Sequence, residues 1–210
     1  MRKTIAAAAL SLYAITASHM HGADFGTWTN WSVDYAATDK IELAAGMEYR
    51  TTDNASETDR WAFNGGITYS PLKHLSVEGT YEFHHRNRSG VWKNRHRYNL
   101  AATGSLKAGR WNFSLRERFQ HTIESGESEL RMRSRLQAKF KATNKISPYA
   151  SIEMYNSLHS GEKFDITRMR YRAGFDFKIA DNVSTDIYYL FNAEDGANKN
   201  IAGLDIAFHF

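Results

Sequence analysis

The sequence predicts an all-β chain, an antiparallel up-and-down transmembrane β-barrel of about 10–12 strands with short periplasmic turns and longer extracellular loops. Three observations predict it. Apolar residues recur with a period of two over long segments, which puts one residue set on each face of a strand. After the N-terminal leader no apolar run approaches the ~20 residues that a membrane-spanning helix needs. Two segments, RMRSRLQ at 131–137 and RMRYRAG at 168–174, set three arginines at alternate positions with uncharged, mostly apolar residues between them. A strand with a polar lumen on one side and lipid on the other accommodates that pattern. The reverse orientation would place arginines at bilayer depth at about 2–4 kcal/mol each. Several on one strand would cancel most of the ~5–15 kcal/mol that stabilises a domain.

Residues 1–23 read as a secretory signal. Arg2 and Lys3 form its basic start, and the apolar run from Ile5 to Ala17 is too short to span a bilayer. Cleavage is expected between about Ala17 and Ala23. Residues 24–210 form the barrel. The chain has 27 Lys and Arg against 23 Asp and Glu, but two of the basic residues and none of the acids lie in the leader, so the mature chain carries only +2. That balance and the export signal argue against a nucleic-acid partner. With no cysteine there is no disulfide framework and no thiolate metal site.

The strands follow in order. Segment 24–36 is placed only as an additional strand or an interior segment. Ten regular strands are expected from Lys40 to Phe210, because single-chain bacterial barrels have even strand numbers. In KIELAAGMEYR, Ile41, Leu43, Ala45, Met47 and Tyr49 alternate with Lys40, Glu42 and Glu48. Trp61, Phe63, Ile67 and Tyr69 oppose Arg60 and Asn64, and Leu75, Val77, Tyr81 and Phe83 oppose Glu78 and Glu82. Tyr98 and Leu100 oppose Arg95 and Arg97; Trp111, Phe113, Leu115 and Phe119 oppose Arg116 and Arg118. Short turns are read at 36–39, 70–74, 107–109, 141–147 and 180–182, and longer polar loops at 51–59, 86–92, 122–128, 157–165 and 193–200. Aromatics near both sets of connections suit the two girdles of a membrane barrel. The chain ends IAFHF, in which Phe208 and Phe210 resemble the signal read by barrel-assembly machinery.

The stretch FGTWT at 25–29, the Arg-x-Arg-x-Arg strands, PYASIE at 148–153 and the terminal Phe210 together resemble an uncharacterised bacterial outer-membrane barrel family, domain of unknown function 2490. The resemblance implies fold and location in the outer membrane of a Gram-negative bacterium. It implies no activity.

The candidate site is a lumen arginine cluster: Arg95, Arg97, Arg116, Arg118, Arg131, Arg133, Arg135, Arg168, Arg170 and Arg172, with Glu48, Glu82 and Glu153 as acidic partners. Barrels of this size are filled by side chains, so the cluster is expected to form a structural, ion-paired plug or to line a narrow anion-preferring passage. A lumen rich in arginine toward the outside and in acids toward the periplasm (Glu42, Glu78, Asp176, Asp186, Asp205) follows from the strand directions. Outer-membrane lipid and lipopolysaccharide are the expected surroundings. Two alternatives stand beside this reading. One is a lipid hydrolase or acyltransferase using rim residues from among His84, His85, His96, His121 and His159 with Ser89, Ser125, Ser128, Ser157 and Ser160; no nucleophile elbow supports it. The other is a soluble secreted barrel or sandwich that binds a ligand. No catalytic residue, metal ligand or cofactor is assigned.

Overall fold

The computed structural model describes residues 24–158, 165–194 and 198–210; the leader lies outside the described residues. Eleven strands close into a single barrel. They are β1 (Asp24–Ala36), β2 (Ile41–Thr52), β3 (Glu57–Leu72), β4 (Leu75–Arg88), β5 (Val91–Ala108), β6 (Trp111–Glu124), β7 (Glu127–Phe140), β8 (Ile146–Ser157), β9 (Asp165–Ala180), β10 (Val183–Ala193) and β11 (Lys199–His209). Every sequential pair is antiparallel.

An odd number of alternating strands leaves the first and last running the same way, so closure requires one parallel pair. β1 and β11 supply it, in register from Asp24 opposite Lys199 to Asp34 opposite His209. The ladder reaches the last residue, with Ala36 N–H donating to the Phe210 carbonyl and Phe210 N–H to the Asp34 carbonyl, both at 2.8 Å. Segment 24–36 is therefore a full wall strand, the additional strand that the sequence left open; eleven lies within the expected 10–12, and the expectation of an even count is corrected. The physical reason is edge satisfaction. Without β1, the free edges of β2 and β11 would leave rows of backbone donors and acceptors unpaired, which only closure removes.

A second correction concerns the rim carrying the connections at 53–56, 89–90 and 125–126. The polar sequence there reads as loop, yet strands continue through most of it. Ser89–Gly90 and Ser125–Gly126 alone join their hairpins. Both residues of each pair have positive φ, 50° and 85° in the first, 53° and 85° in the second. That is the type I′ turn, whose twist matches the flanking strands. β5 thus reaches 18 residues and begins at Val91, inside the segment that reads as loop.

The two faces are inverted relative to a soluble barrel. Large apolar side chains lie exposed on the outer face, among them Leu43, Phe63, Leu100, Leu115, Leu136, Ile152 and Ile187. Polar and charged side chains are buried inside, among them Arg60, His84, Asn99, Gln120 and Glu153. This is the arrangement a sheet adopts when its solvent on the outside is hydrocarbon.

Candidate functional site: the charged lumen

The strand alternation sends Arg131, Arg133 and Arg135 of β7 and Arg168, Arg170 and Arg172 of β9 to the interior, on either side of β8, which contributes Glu153 and Tyr155. Glu153 is the hub. Arg133 Nη2 donates to both of its carboxylate oxygens at 2.9 and 3.0 Å, Arg170 Nη1 reaches it at 3.4 Å, and Tyr155 Oη donates at 3.0 Å. The Tyr155 ring receives the guanidinium carbons of Arg133, Arg170 and Arg168 at 4.5, 5.0 and 5.2 Å. One acid and one aromatic face thus share three arginines, because the quadrupole of the ring supplements the carboxylate.

The other acids are shared in the same way. Glu82 takes Arg97 and His84, each at 2.9 Å, and Asn99 at 2.8 Å. Glu48 takes Arg50 at 2.6 Å, whose guanidinium also covers the Trp28 ring at 3.6 Å. Arg172 meets Asp186 at 2.5 Å and Asp205 at 3.1 Å and lies 3.4 Å over the Tyr188 ring. Arg116 turns toward Glu78 at 2.6 Å, an acid assigned by sequence to the opposite end of the lumen. Arg118 and Arg135 have neither a carboxylate within ion-pair distance nor a ring beneath them among the described residues.

Several partners were missed by sequence reasoning, most of them because they fall in segments that read as loops. Glu124 binds Arg95 at 2.5 Å, Glu129 binds Arg131 at 2.5 Å, and Asp59 binds Arg60 at 2.7 Å and Arg86 at 3.3 Å. Glu194, just beyond β10, binds Arg168 at 2.7 Å. Partial burial pushes the Glu194 carboxyl up, but the hydrogen bond and charge of Arg168 outweigh this and hold it below the ordinary carboxylate value. The Ser-Gly dipeptides were the available signal: each marks a tight turn, so the acids flanking 125–126 belong to strands. The interior aromatics Trp28, Tyr149, Tyr155 and Tyr188 were also missed. Trp28, Tyr149 and Tyr188 cluster with Leu190 and Ile201 on the walls contributed by β1, β8, β10 and β11.

Most of these pairs line a cavity of about 780 Å³. It reaches the rim at Asp24, Arg88 and Glu127 and descends to Trp28, Arg118, Tyr155 and Ile201. Twelve basic and eight acidic side chains line it. Glu42, Glu78, Asp176, Asp186 and Asp205 do not.

The outer face holds two features of its own. His121 Nε2 lies 2.7 Å from Ser128 Oγ, but no carboxylate or amide holds the other ring nitrogen among the described residues, so a hydrolytic triad is not assembled there. His85 pairs with Asn94 at 2.9 Å and His96 with Tyr81 at 2.8 Å. His84 points inward, and His159 and Ser160 lie outside the described residues. The second feature is Glu117, midway along β6 on the apolar outer face, where Ser134 Oγ donates to it at 2.6 Å. Its outward neighbours along β6 are Leu115 and Phe119, both exposed. A carboxylate in hydrocarbon is costly. Glu117→Leu is therefore expected to stabilise the folded barrel by about 1–2 kcal/mol in denaturant unfolding from lipid vesicles. Destabilisation instead would show that the bond to Ser134 holds β6 to β7.

Known proteins match at two levels. The family model described as "Protein of unknown function (DUF2490)" matches residues 25–202. No curated protein matches the chain. Among solved structures, the translocator domain of the autotransporter NalP from Neisseria meningitidis is similar, with a TM-score of 0.52 and 15% identity over 78% of this chain and 72% of that one. The beta domain of the Bordetella autotransporter BrkA gives a TM-score of 0.47 and 12% identity, covering 76% and 79% of the two chains. OmpT of Vibrio cholerae gives 0.41 and 9%, with 72% of this chain aligned to 53% of that one. At such identities the first of these shows a shared outer-membrane barrel fold and nothing of activity.

Proposed function

We propose, for a chain that belongs to the DUF2490 family of proteins of unknown function, that it is an integral bacterial outer-membrane barrel with a lumen closed at mid-height and an anion-receiving vestibule above. One observation carries this reading: the cavity stops on Trp28, Tyr155 and Ile201, beneath which Arg172 is tied to Asp186, Asp205 and Tyr188. A narrow barrel whose side chains are cross-linked this way is filled rather than open. Twelve basic side chains against eight acids leave the vestibule positive, and low-dielectric walls concentrate that field on entering anions. The apolar outer face sits in lipid. The outward row Leu204, Ile206, Phe208 and Phe210 of the last strand is the surface offered to the barrel-assembly machinery, and lipopolysaccharide surrounds the loop rim.

The test is single-channel recording of the refolded protein in a planar bilayer, with insertion verified by protease protection. No steady conductance is expected. A persistent anion-selective current from the native chain would overturn the closed lumen in favour of a passage.

A further inference from the structure

We infer that the floor of the vestibule is a binding site for a phosphoryl group, seated on Arg118 between β5 and β7; the inference rests on the anion-receiving vestibule proposed above. The argument starts from a block of four arginines on one hairpin. Arg118 lies directly opposite Arg133, and Arg116 directly opposite Arg135. Like charges facing one another across a ladder repel. Two members of the block are neutralised, Arg133 by Glu153 at 2.9 Å and Arg116 by Glu78 at 2.6 Å. The other two, on the diagonal, have no acid within ion-pair distance among the described residues.

Neighbouring acids cannot be borrowed. Glu82 already accepts from Arg97, His84 and Asn99, and Glu153 from Arg133, Arg170 and Tyr155. Of the two free guanidinium groups, Arg118 lines the cavity and Arg135 does not. Across the ladder from Arg118 on β5 stands Ala101, which offers it no acid. Gln120, the next inward residue toward the rim on β6, also lines the cavity, and its amide already steadies Arg133 at 3.1 Å.

An unpaired guanidinium on the cavity wall, with Gln120 beside it, Arg133 opposite and a surplus of cations above, suits a tetrahedral oxyanion of charge near −2. Guanidinium forms paired hydrogen bonds to phosphate, and a dianion offsets more of the surplus than a monocarboxylate does. The cavity volume leaves room for the remainder of a small phosphorylated molecule. A soluble phosphorylated solute and a phosphate of lipopolysaccharide present the same group.

The experiment uses the full folded chain in detergent. Thermal unfolding is followed with inorganic phosphate, chloride and acetate at equal ionic strength, for the native chain, Arg118→Gln and Arg110→Gln. Arg110 sits at the opposite rim and matches the charge change. Phosphate is expected to raise the midpoint above chloride and acetate, and Arg118→Gln to weaken its apparent affinity by about tenfold or more while Arg110→Gln does not. As a readout independent of any variant, phosphate should shield Arg118 of the native chain from phenylglyoxal, measured by mass spectrometry. Shielding by phosphate assigns a soluble source, and shielding by lipopolysaccharide micelles but not phosphate assigns the lipid. No shielding by either, or equal phosphate binding by Arg118→Gln, overturns the site. A protein that conducts yet binds phosphate through Arg118 refutes the closed lumen and keeps the site; a silent protein with no phosphate effect does the reverse.

Discussion

Glu153→Gln should destabilise the barrel by about 3–5 kcal/mol, the cost of removing one partner from a buried charge network. Glu153 is only 7% exposed and accepts from Arg133, Arg170 and Tyr155. Glutamine preserves the shape but supplies one acceptor oxygen and turns an amide N–H₂ toward guanidinium donors. Two buried arginines then lose their counter-charge, and the Tyr155 ring alone does not replace it, since a cation–π contact is worth about 0.5–2 kcal/mol. The measurement is denaturant unfolding in lipid vesicles, scored by the mobility difference between folded and unfolded barrel. Ser128→Ala, on the outer face at the rim, should stay within about 0.5 kcal/mol of the native chain. Adding Arg170→Gln to Glu153→Gln should recover part of the loss, because the second change removes a charge that the first left unpaired. Additive losses would mean that the network is loosely hydrated and that the lumen is not a plug.

The wall of this barrel was legible in the sequence because its two solvents differ so strongly. A strand such as RMRSRLQ permits one orientation only, and period-two alternation fixes the face of every residue once one is fixed. Strand number was harder. The alternation of 24–36 is diluted by Thr27 and Thr29 on the apolar side and Trp28 on the polar side, and the expectation of an even count argued against it. Closure is a property of the whole ring, and no local pattern reports it. The pairing inside the lumen was least legible. Faces follow from parity, but which arginine meets which acid depends on strand stagger, and that was misjudged where Ser-Gly turns let strands run further than polar composition suggested. The stagger brought Glu78 to Arg116, across what had been read as separate ends.

Gly203→Ala should cost about 3 kcal/mol, from displacing a packed ring and losing its cation–π contact. A methyl at Gly203 would lie 1.9 Å from Cζ and 2.1 and 2.4 Å from the Cε atoms of Tyr188. An exposed tyrosine would swing aside. This one is 6% exposed, covered by the Arg172 guanidinium at 3.4 Å and held at its hydroxyl by Asp205 at 3.5 Å. The ring can move only by releasing Arg172, which would then leave Asp186 and Asp205 with a displaced counter-charge. The position also matters. Gly203 stands opposite Trp28 across the parallel β1–β11 pair, and parallel pairing is slightly weaker per residue than antiparallel. Damage there should open the seam first, raising hydrogen exchange in β1 and β11 before the hairpins of β4 to β7. Gly104→Ala is the control, since nothing stands within 4 Å of its added methyl, and it should be neutral or mildly stabilising. Tyr188→Ala combined with Gly203→Ala should lose little beyond Tyr188→Ala alone. If Gly203→Ala by itself behaves like Gly104→Ala, Tyr188 is not locked, and the seam is held by its backbone ladder rather than by the Tyr188–Arg172 contact.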